Sequence, residues 1–167
     1  MSIIIKKHTL NKRPYRPCVG IMLFNDDGHV FLGRRNDMPH ESWQMPQGGI
    51  DPNESPKTAA LRELKEETGI KTVTIIDQMS QWLSYDYPLE VAKKSFSNHY
   101  RGQRQLWFVM RFIGSDDEIN LHATHAEFSE WKWSKLECIT SLIVDFKKPI
   151  YKVLVKKFNH LAIHTAS

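Results

Sequence analysis

The stretch from Gly48 to Ile70, GGIDPNESPKTAALRELKEETGI, decides the fold and carries the most unusual charge pattern of the chain. Its paired glycines and the DPN segment after them predict a loop that leads into a helix. Ser55 or Asn53 is suited to cap that helix, and Pro56 suits its first turn. The glycine before the final isoleucine is placed to end the helix in a left-handed conformation.

Three glutamates, Glu63, Glu66 and Glu67, fall on one face of the predicted helix because they are spaced i, i+3 and i+4. Like charges at this spacing destabilise an isolated helix by about 0.2–0.5 kcal/mol per pair. A hard divalent cation offsets that repulsion, since Mg²⁺ takes oxygen ligands and commonly binds together with substrate phosphates. A solvated charged face is the ordinary interpretation of such a run on its own, so the spacing of the upstream residues has to decide.

That spacing resembles the box of the Nudix hydrolases, G-x5-E-x7-R-E-U-x-E-E-x-G-U, in which U is an aliphatic residue. The nine fixed positions are filled by Gly48, Glu54, Arg62, Glu63, Leu64, Glu66, Glu67, Gly69 and Ile70. Nine matches at fixed gaps are far more specific than a short motif. The resemblance implies an α+β Nudix fold, a mixed β-sheet sandwiched between α-helices. It also implies a hydrolase that uses Mg²⁺ or Mn²⁺ to cleave a nucleoside diphosphate linked to another group.

Three segments outside the box narrow the resemblance to bacterial dinucleoside polyphosphate hydrolases, a subgroup that includes RNA 5′-pyrophosphohydrolases. They are WQMPQGG at 43–49, YRGQRQLWF at 100–108 and EFSEWKW at 127–133. The resemblance implies that Glu127 joins Glu63, Glu66 and Glu67 as a metal ligand. This many carboxylates exceed what one ion needs, so more than one ion is expected.

Four further residues are candidates for substrate contact. Arg34 and Arg35 end a predicted strand and alternate across it, so one side chain can face a substrate cleft and the other the solvent; arginine suits bidentate phosphate contacts, and an ordinary surface charge is the open alternative for either. Arg101 and Arg104 belong to the second matching segment, where ligand contact and an ordinary surface charge are both open. In the resembling subgroup a phenylalanine at the position of Phe146 stacks on a nucleobase, while a place in the core is the alternative.

The expected chemistry follows from charge. Bound metal offsets the charge of a polyphosphate and lowers the pKa of a bound water for in-line attack at phosphorus. Glu63 or Glu67 is the candidate general base, because a ligand carboxylate lies next to that water. Arg62 is expected to orient a box glutamate by ion pairing, and Glu54 to support the loop or a metal ligand.

Hydrophobic alternation predicts the elements around the box helix. We expect strands at Val19–Phe24 and Val73–Ile76, with a hairpin turn at Asn25–Gly28 after the first of them. Glu118–Leu121 is predicted as a short strand. An amphipathic helix with a lysine-rich outer face is expected from Pro149 onward.

Length and composition set the remaining bounds. The 167 residues fit one domain, which we place at residues 14–167 after a tail at residues 1–13. The net charge of +4 suits a polyanionic ligand. Cys18 and Cys138 have no metal-ligand spacing and are expected to be reduced, buried thiols. The chain shows neither a signal peptide nor an apolar run long enough to span a membrane, so a cytoplasmic protein is expected.

The substrate is left open between two ligands. One is the 5′-triphosphate end of RNA, from which removal of pyrophosphate leaves a 5′-monophosphate and promotes mRNA decay. The other is diadenosine tetraphosphate or a related dinucleoside polyphosphate. A catalytically silent binding module and a hydrolase of damaged nucleoside triphosphates are further possibilities. The intact carboxylate set argues against the silent module, and the segments outside the box fit the triphosphate hydrolase less well.

Overall fold

The computed structural model describes residues 12–37, 41–92, 99–122 and 126–162. The strands are β1 Tyr15–Phe24, β2 Val30–Arg35, β3 Trp43–Gln44, β4 Gln47–Gly49, β5 Val73–Gln78, β6 Leu83–Asp86, β7 Gly102–Phe112 and β8 Phe128–Ser134. The α-helices are α1 Pro56–Thr68, α2 Leu89–Ala92, α3 Ile139–Leu142 and α4 Lys148–Phe158. Short 3₁₀ turns lie at Asp116–Glu118, Leu136–Cys138, Asp145–Lys147 and Asn159–Ala162.

The eight strands form one mixed sheet whose central pair is β1 and β7. These two strands run parallel over ten residue pairs, from Tyr15 beside Gly102 to Phe24 beside Arg111. The other pairings are antiparallel, with β2 and β4 against β1, β5 and β6 against β7, and β3 and β8 against β2. The expected α+β fold, a mixed sheet flanked by helices, is confirmed. None of the helices in the described residues is long and apolar enough to cross a membrane.

Helix α1 begins and ends at the residues that its local chemistry predicts. The Ser55 hydroxyl accepts a hydrogen bond from the Thr58 N–H at 3.2 Å, and Pro56 occupies the first helical position. Gly69 has a φ of 76° and donates its N–H to the Lys65 carbonyl at 2.8 Å. These caps satisfy backbone groups that a helix end otherwise leaves without partners.

The core covers both faces of β1. Every side chain from Cys18 to Phe24 is buried, which explains why this strand is almost continuously apolar. Gly20 permits the close approach of the Trp107 indole, because a Cβ at that position would lie 2.5 Å from the ring. Tyr151 of α4 packs edge-on against the same indole, with ring centroids 5.9 Å apart. Helix α4 is thereby fixed against the sheet.

Two expectations about the fold are wrong, and a third is outside the described residues in part. The segment Glu118–Leu121 is not a strand, because the Glu118 carboxylate accepts from the N–H groups of Lys71 and Thr72, both at 2.9 Å. Those bonds stabilise a 3₁₀ turn instead. Cys138 is exposed, whereas Cys18 is buried as expected; both are free thiols. Residues 1–11 of the predicted tail lie outside the described part of the chain.

Candidate active site

Strand β4 and helix α1 bring the box residues together. The Gly48 backbone lies so close to Glu63 that a Cβ on Gly48 would meet the Glu63 carboxyl carbon at 2.0 Å. One residue earlier, the Gln47 N–H donates to Glu67 Oε2 at 3.3 Å. A side chain at position 48 would therefore displace Glu63. This explains why the first position of the box is a glycine.

Arg62 holds the acidic side chains of the site in one cluster. Its Nε and Nη2 donate to the two carboxylate oxygens of Glu54 at 2.7 and 2.8 Å. Its Nη1 donates to Glu63 at 3.0 Å and to Glu66 at 3.1 Å. A further bond runs from Nη2 to the Gly49 carbonyl at 2.9 Å. The expected ion pairing of Arg62 with box glutamates is present, and it ties loop, strand and helix together.

Glu67 is the buried carboxylate of the site. It is 2% exposed, and its Oε1 has no hydrogen-bond partner among the described residues. Glu127, on the exposed loop before β8, lies near enough for its negative charge to act on Glu67. Burying an ionised carboxylate without a partner for each oxygen is costly. Glu67 is therefore the position at which a cation offsets the largest penalty.

Three pKa shifts show how the environment divides the acidic groups. Burial raises the pKa of Glu67 well above its ordinary value, and the negative charges of Glu127 and Glu63 raise it further. Burial also raises the pKa of Glu63, against the opposing effect of Arg62. The Arg62 guanidinium lowers the pKa of Glu54 to about 2. Glu54 is thus the anion that holds Arg62, whereas burial disfavours the charged forms of Glu63 and Glu67.

The carboxylates fit a hard divalent cation by their chemistry. Glu63, Glu66, Glu67 and Glu127 offer only oxygen atoms, the ligands that Mg²⁺ and Mn²⁺ prefer, and one of them has an unpartnered buried oxygen. Within the described ranges no three acidic, histidine or cysteine side chains already stand at metal-ligand geometry. Arg62 instead engages two of the four carboxylates.

Two basic side chains, Arg35 and Lys147, lie near enough to these glutamates to feel their charges, and we call this place the cationic pocket. Arg35, at the end of β2, donates from Nε to Asp37 at 2.8 Å. Lys147, in the turn before α4, is 4% exposed and donates to the Gln44 amide oxygen at 3.3 Å. Burial, and then the positive charge of Arg35, lower the pKa of Lys147 to about 7. Arg35 is thus already paired with Asp37, and Lys147 is the buried basic group beside it.

Phe146 borders this pocket. Its half-buried ring lies 5.6 Å from the ring of Tyr85, tilted by 45°. Tyr85 is buried, and the Lys147 ammonium lies 5.8 Å from the centre of its ring. Phe146 is thus both packed against the core and partly open, next to the cationic pocket.

The two arginines of β7 and the segment before it are placed differently from Arg35. Arg101 forms a two-pronged ion pair with Asp86, at 3.1 and 3.0 Å. Arg104 is exposed and stacks over Trp82 at 4.4 Å. Alternation along β7 directs Arg104 to the face opposite Gln103 and its buried neighbours. Substrate contact by either arginine remains a prediction.

Buried amides form a second network that sequence reasoning missed. The Trp107 indole donates to Gln105 at 3.0 Å, and Gln105 donates in turn to Gln47 at 3.1 Å and to Gln103 at 2.9 Å. Because an indole N–H can only donate, it determines the orientation of the Gln105 amide. The network fixes the side chain of Gln47, the β4 residue whose backbone N–H donates to Glu67.

Lys147 was also missed, since the FKK run at 146–148 looks like an ordinary surface segment. Only its burial distinguishes it from the exposed lysines that follow. The amides of YRGQRQLWF gave a signal, because glutamines alternating on a strand share one face. Their common partner, Gln47, follows only from the pairing of β4 and β7 with β1.

Comparison with known proteins gives matches across most of the chain. Residues 14–154 match the family model described as the NUDIX domain. A relative named RNA pyrophosphohydrolase, from Zymomonas mobilis, is 49% identical over 87% of this chain and 95% of its own length. A Rickettsia rickettsii relative of the same name is 44% identical over 96% of this chain and 99% of its own. The crystal structure of a C. elegans Ap4A hydrolase is similar in fold, with a TM-score of 0.62 at 23% identity over 87% of this chain and 98% of the other.

Proposed function

This chain belongs to the Nudix family, and from that membership we propose that it is an RNA pyrophosphohydrolase. Its reaction is the hydrolysis of the 5′-triphosphate end of RNA, which gives pyrophosphate and a 5′-monophosphorylated RNA that is open to decay. Two relatives with that name match nearly the full chain at 44–49% identity. A role in mRNA decay implies the bacterial cytoplasm as its compartment.

The buried, half-partnered Glu67 is the observation that carries the catalytic assignment. The negative charges of Glu63 and Glu127 act on this buried carboxyl, and bound metal would offset the cost of keeping the three charges together. Nudix hydrolases generally use divalent metal ions. We assign Glu63, Glu66, Glu67 and Glu127 as the residues that would hold Mg²⁺ or Mn²⁺, with more than one ion. A divalent ion there supplies charge neutralisation and an acidified water.

The remaining steps belong to side chains of this chain. Glu63 or Glu67 takes the proton of the attacking water, because a carboxylate of the proposed metal-binding set lies next to that water. Arg62 keeps Glu63 in position by its bond of 3.0 Å and does not touch the substrate. Arg35 and Lys147 hold phosphate oxygens, and Phe146 stacks on a base near the 5′ end.

Product analysis tests this proposal. Wild-type protein with Mg²⁺ is incubated with a 5′-triphosphorylated RNA whose first nucleotides are unpaired. The expected products are pyrophosphate and RNA that has become sensitive to a 5′-monophosphate-dependent exonuclease. EDTA and the Glu67→Gln substitution each abolish both products. Release of orthophosphate alone, with RNA that stays resistant to the exonuclease, would contradict the proposal.

A further inference from the structure

The outer face of α4 carries three lysines in one row. Lys148, Lys152 and Lys156 are spaced i, i+4 and i+8, and we call this row the lysine stripe. Lys152 and Lys156 are exposed, whereas the opposite face of the helix buries Ile150, Tyr151, Leu154 and Phe158 in the core. The rise of an α-helix makes the stripe about 12 Å long.

The spacing of the three lysines is unfavourable for the helix that carries them. Like charges four residues apart cost about 0.2–0.5 kcal/mol per pair. Lys148 also lies in the first turn of α4, where the helix dipole disfavours positive charge and no acidic residue is present, whereas the dipole favours Lys156 in the last turn. Among the ion pairs of the described residues, Lys148 bonds Asp145 at 2.9 Å, and Lys152 and Lys156 have no acidic partner. Two charges are thus left for something outside the described chain.

The stripe begins at the proposed active site. Helix α4 follows Phe146 and Lys147 without a break, since its first residue is the next one in the chain. The Tyr151 hydroxyl accepts a hydrogen bond from the Met45 N–H at 2.7 Å. Met45 lies two residues before Gln47, the β4 residue whose N–H donates to Glu67. The N-terminal end of α4 is thus next to Phe146, and the lysines of its outer face lie along one path that leads away from the site.

A membrane and an apolar protein partner fit this surface poorly. The apolar side of α4 is already packed in the core, and Val153 is its exposed large aliphatic side chain. At the far end, the Ala162 carbonyl lies against Gly28, next to the exposed Asp26 and Asp27. Acidic residues thus lie beyond the C-terminal end of α4.

We propose that the lysine stripe binds the backbone phosphates of single-stranded RNA beyond the nucleotides held at the active site. This inference rests on the proposed function, and adds to it a surface that distinguishes long RNA from short 5′-triphosphorylated ends. Lysine contacts to phosphate displace counterions from the RNA. The logarithm of the binding constant for a single strand therefore falls with the logarithm of the salt concentration, with a slope of about 0.7 per contact. Two contacts make a slope difference of about 1.4.

The test compares Lys152→Gln/Lys156→Gln with wild type in binding a fluorescent 20-nucleotide RNA that bears a 5′-hydroxyl and is unstructured. Between 50 and 200 mM salt, we expect wild-type affinity to fall about sevenfold more than that of the variant. Lys57→Gln/Lys135→Gln, which removes the same charge from exposed positions elsewhere, serves as the matched control. Its salt slope is expected to equal the wild-type slope. Equal slopes for all three proteins would overturn the inference.

Turnover separates this inference from the proposed function. The stripe variant is expected to lose about three- to tenfold in kcat/KM on a triphosphorylated 20-mer at 50 mM salt, and nothing on a triphosphorylated trinucleotide. Equal losses on both RNAs would overturn the stripe as a surface for downstream RNA while leaving RNA hydrolysis intact. Wild-type protein that hydrolyses neither RNA would overturn the proposed function, and the stripe assignment with it.

Discussion

Arg62 and Glu54 form a two-pronged ion pair, with bonds of 2.7 and 2.8 Å between the guanidinium and the two carboxylate oxygens. The pair joins helix α1 to the loop in front of it. The same guanidinium also bonds Glu63 and Glu66. The positions of these two carboxylates therefore depend on Glu54, which lies in the loop before the helix.

The pair predicts a stability change that depends on pH. We expect Glu54→Gln to lower the free energy of unfolding at pH 7 by about 1.5–3 kcal/mol, the range for hydrogen bonds to charged groups. The folded pKa of Glu54 is depressed to about 2, so its contribution is present above the ordinary carboxyl range and is lost as the pH falls from about 4.5 toward 2. Urea unfolding of both proteins from pH 7 to pH 3 measures this. A difference that does not narrow below pH 4.5 would contradict the assignment.

Removal of the buried charge at Glu67 should lower activity and raise the stability of the metal-free protein. Glu67→Gln is expected to lower kcat by at least about 10²-fold, the lower limit for a general base. Without metal it should also unfold at a higher temperature than wild type, because the substitution removes a desolvated charge beside Glu127 and Glu63. Thermal unfolding in EDTA and turnover in Mg²⁺ are measured on the same samples. Glu137→Gln, at an exposed site, is the control, and a lower unfolding temperature for Glu67→Gln would contradict the account.

The other two box carboxylates give a parallel expectation. Glu63→Gln and Glu66→Gln should each lose most of the activity while circular dichroism stays that of wild type. Both side chains bond Arg62, so a loss of fold would show that their role is structural. Wild-type turnover in either variant would remove that residue from the metal-binding set.

Lys147 predicts a stability effect at alkaline pH. Its folded pKa is about 7, against about 10.4 for an unperturbed lysine, so between these values the unfolded chain binds more protons at this position. Wild-type stability relative to Lys147→Met should therefore rise with pH from 7 to 10, by up to about 1.4 kcal/mol per unit. Urea unfolding of the two proteins at each pH gives the difference. A constant difference would show that the Lys147 ammonium is not desolvated.

Phe146 tests whether a base is stacked at the pocket. Phe146→Ala should lower kcat/KM on triphosphorylated RNA by about 5- to 150-fold, the equivalent of about 1–3 kcal/mol of stacking. The inhibition constant of inorganic tripolyphosphate, which has no base, should stay unchanged. Phe146→Trp should retain most of the activity. If Phe146 only packs against Tyr85, the alanine variant will lose thermal stability and affinity for both ligands together.

Local chemistry explains which parts of the fold could be predicted. Helix α1 was predictable because Ser55, Pro56 and Gly69 act within a few residues of the ends they define. The segment at Glu118 was not, since its conformation depends on bonds to Lys71 and Thr72, more than forty residues away in sequence. Short strands such as β3 and β4 likewise exist only through their partners on β2 and β1.

The residues of the site also fall into those that the sequence predicts and those that depend on distant contacts. The spacing of Glu63, Glu66 and Glu67 on one helix made their proximity predictable from periodicity alone. Glu127 approaches them from a distant loop, so only resemblance to a family pointed to it. Lys147 gave no signal, because its burial depends on how the turn before α4 packs on the sheet.

The central claim is that the 5′-triphosphate end of RNA is the substrate. It is tested most directly by the ratio of kcat/KM for two substrates under one condition with Mg²⁺. One is a short RNA with a 5′-triphosphate and at least two unpaired nucleotides, and the other is diadenosine tetraphosphate. The account predicts a much higher kcat/KM on the RNA. A clear preference for diadenosine tetraphosphate would contradict it and would make this chain a dinucleoside polyphosphate hydrolase.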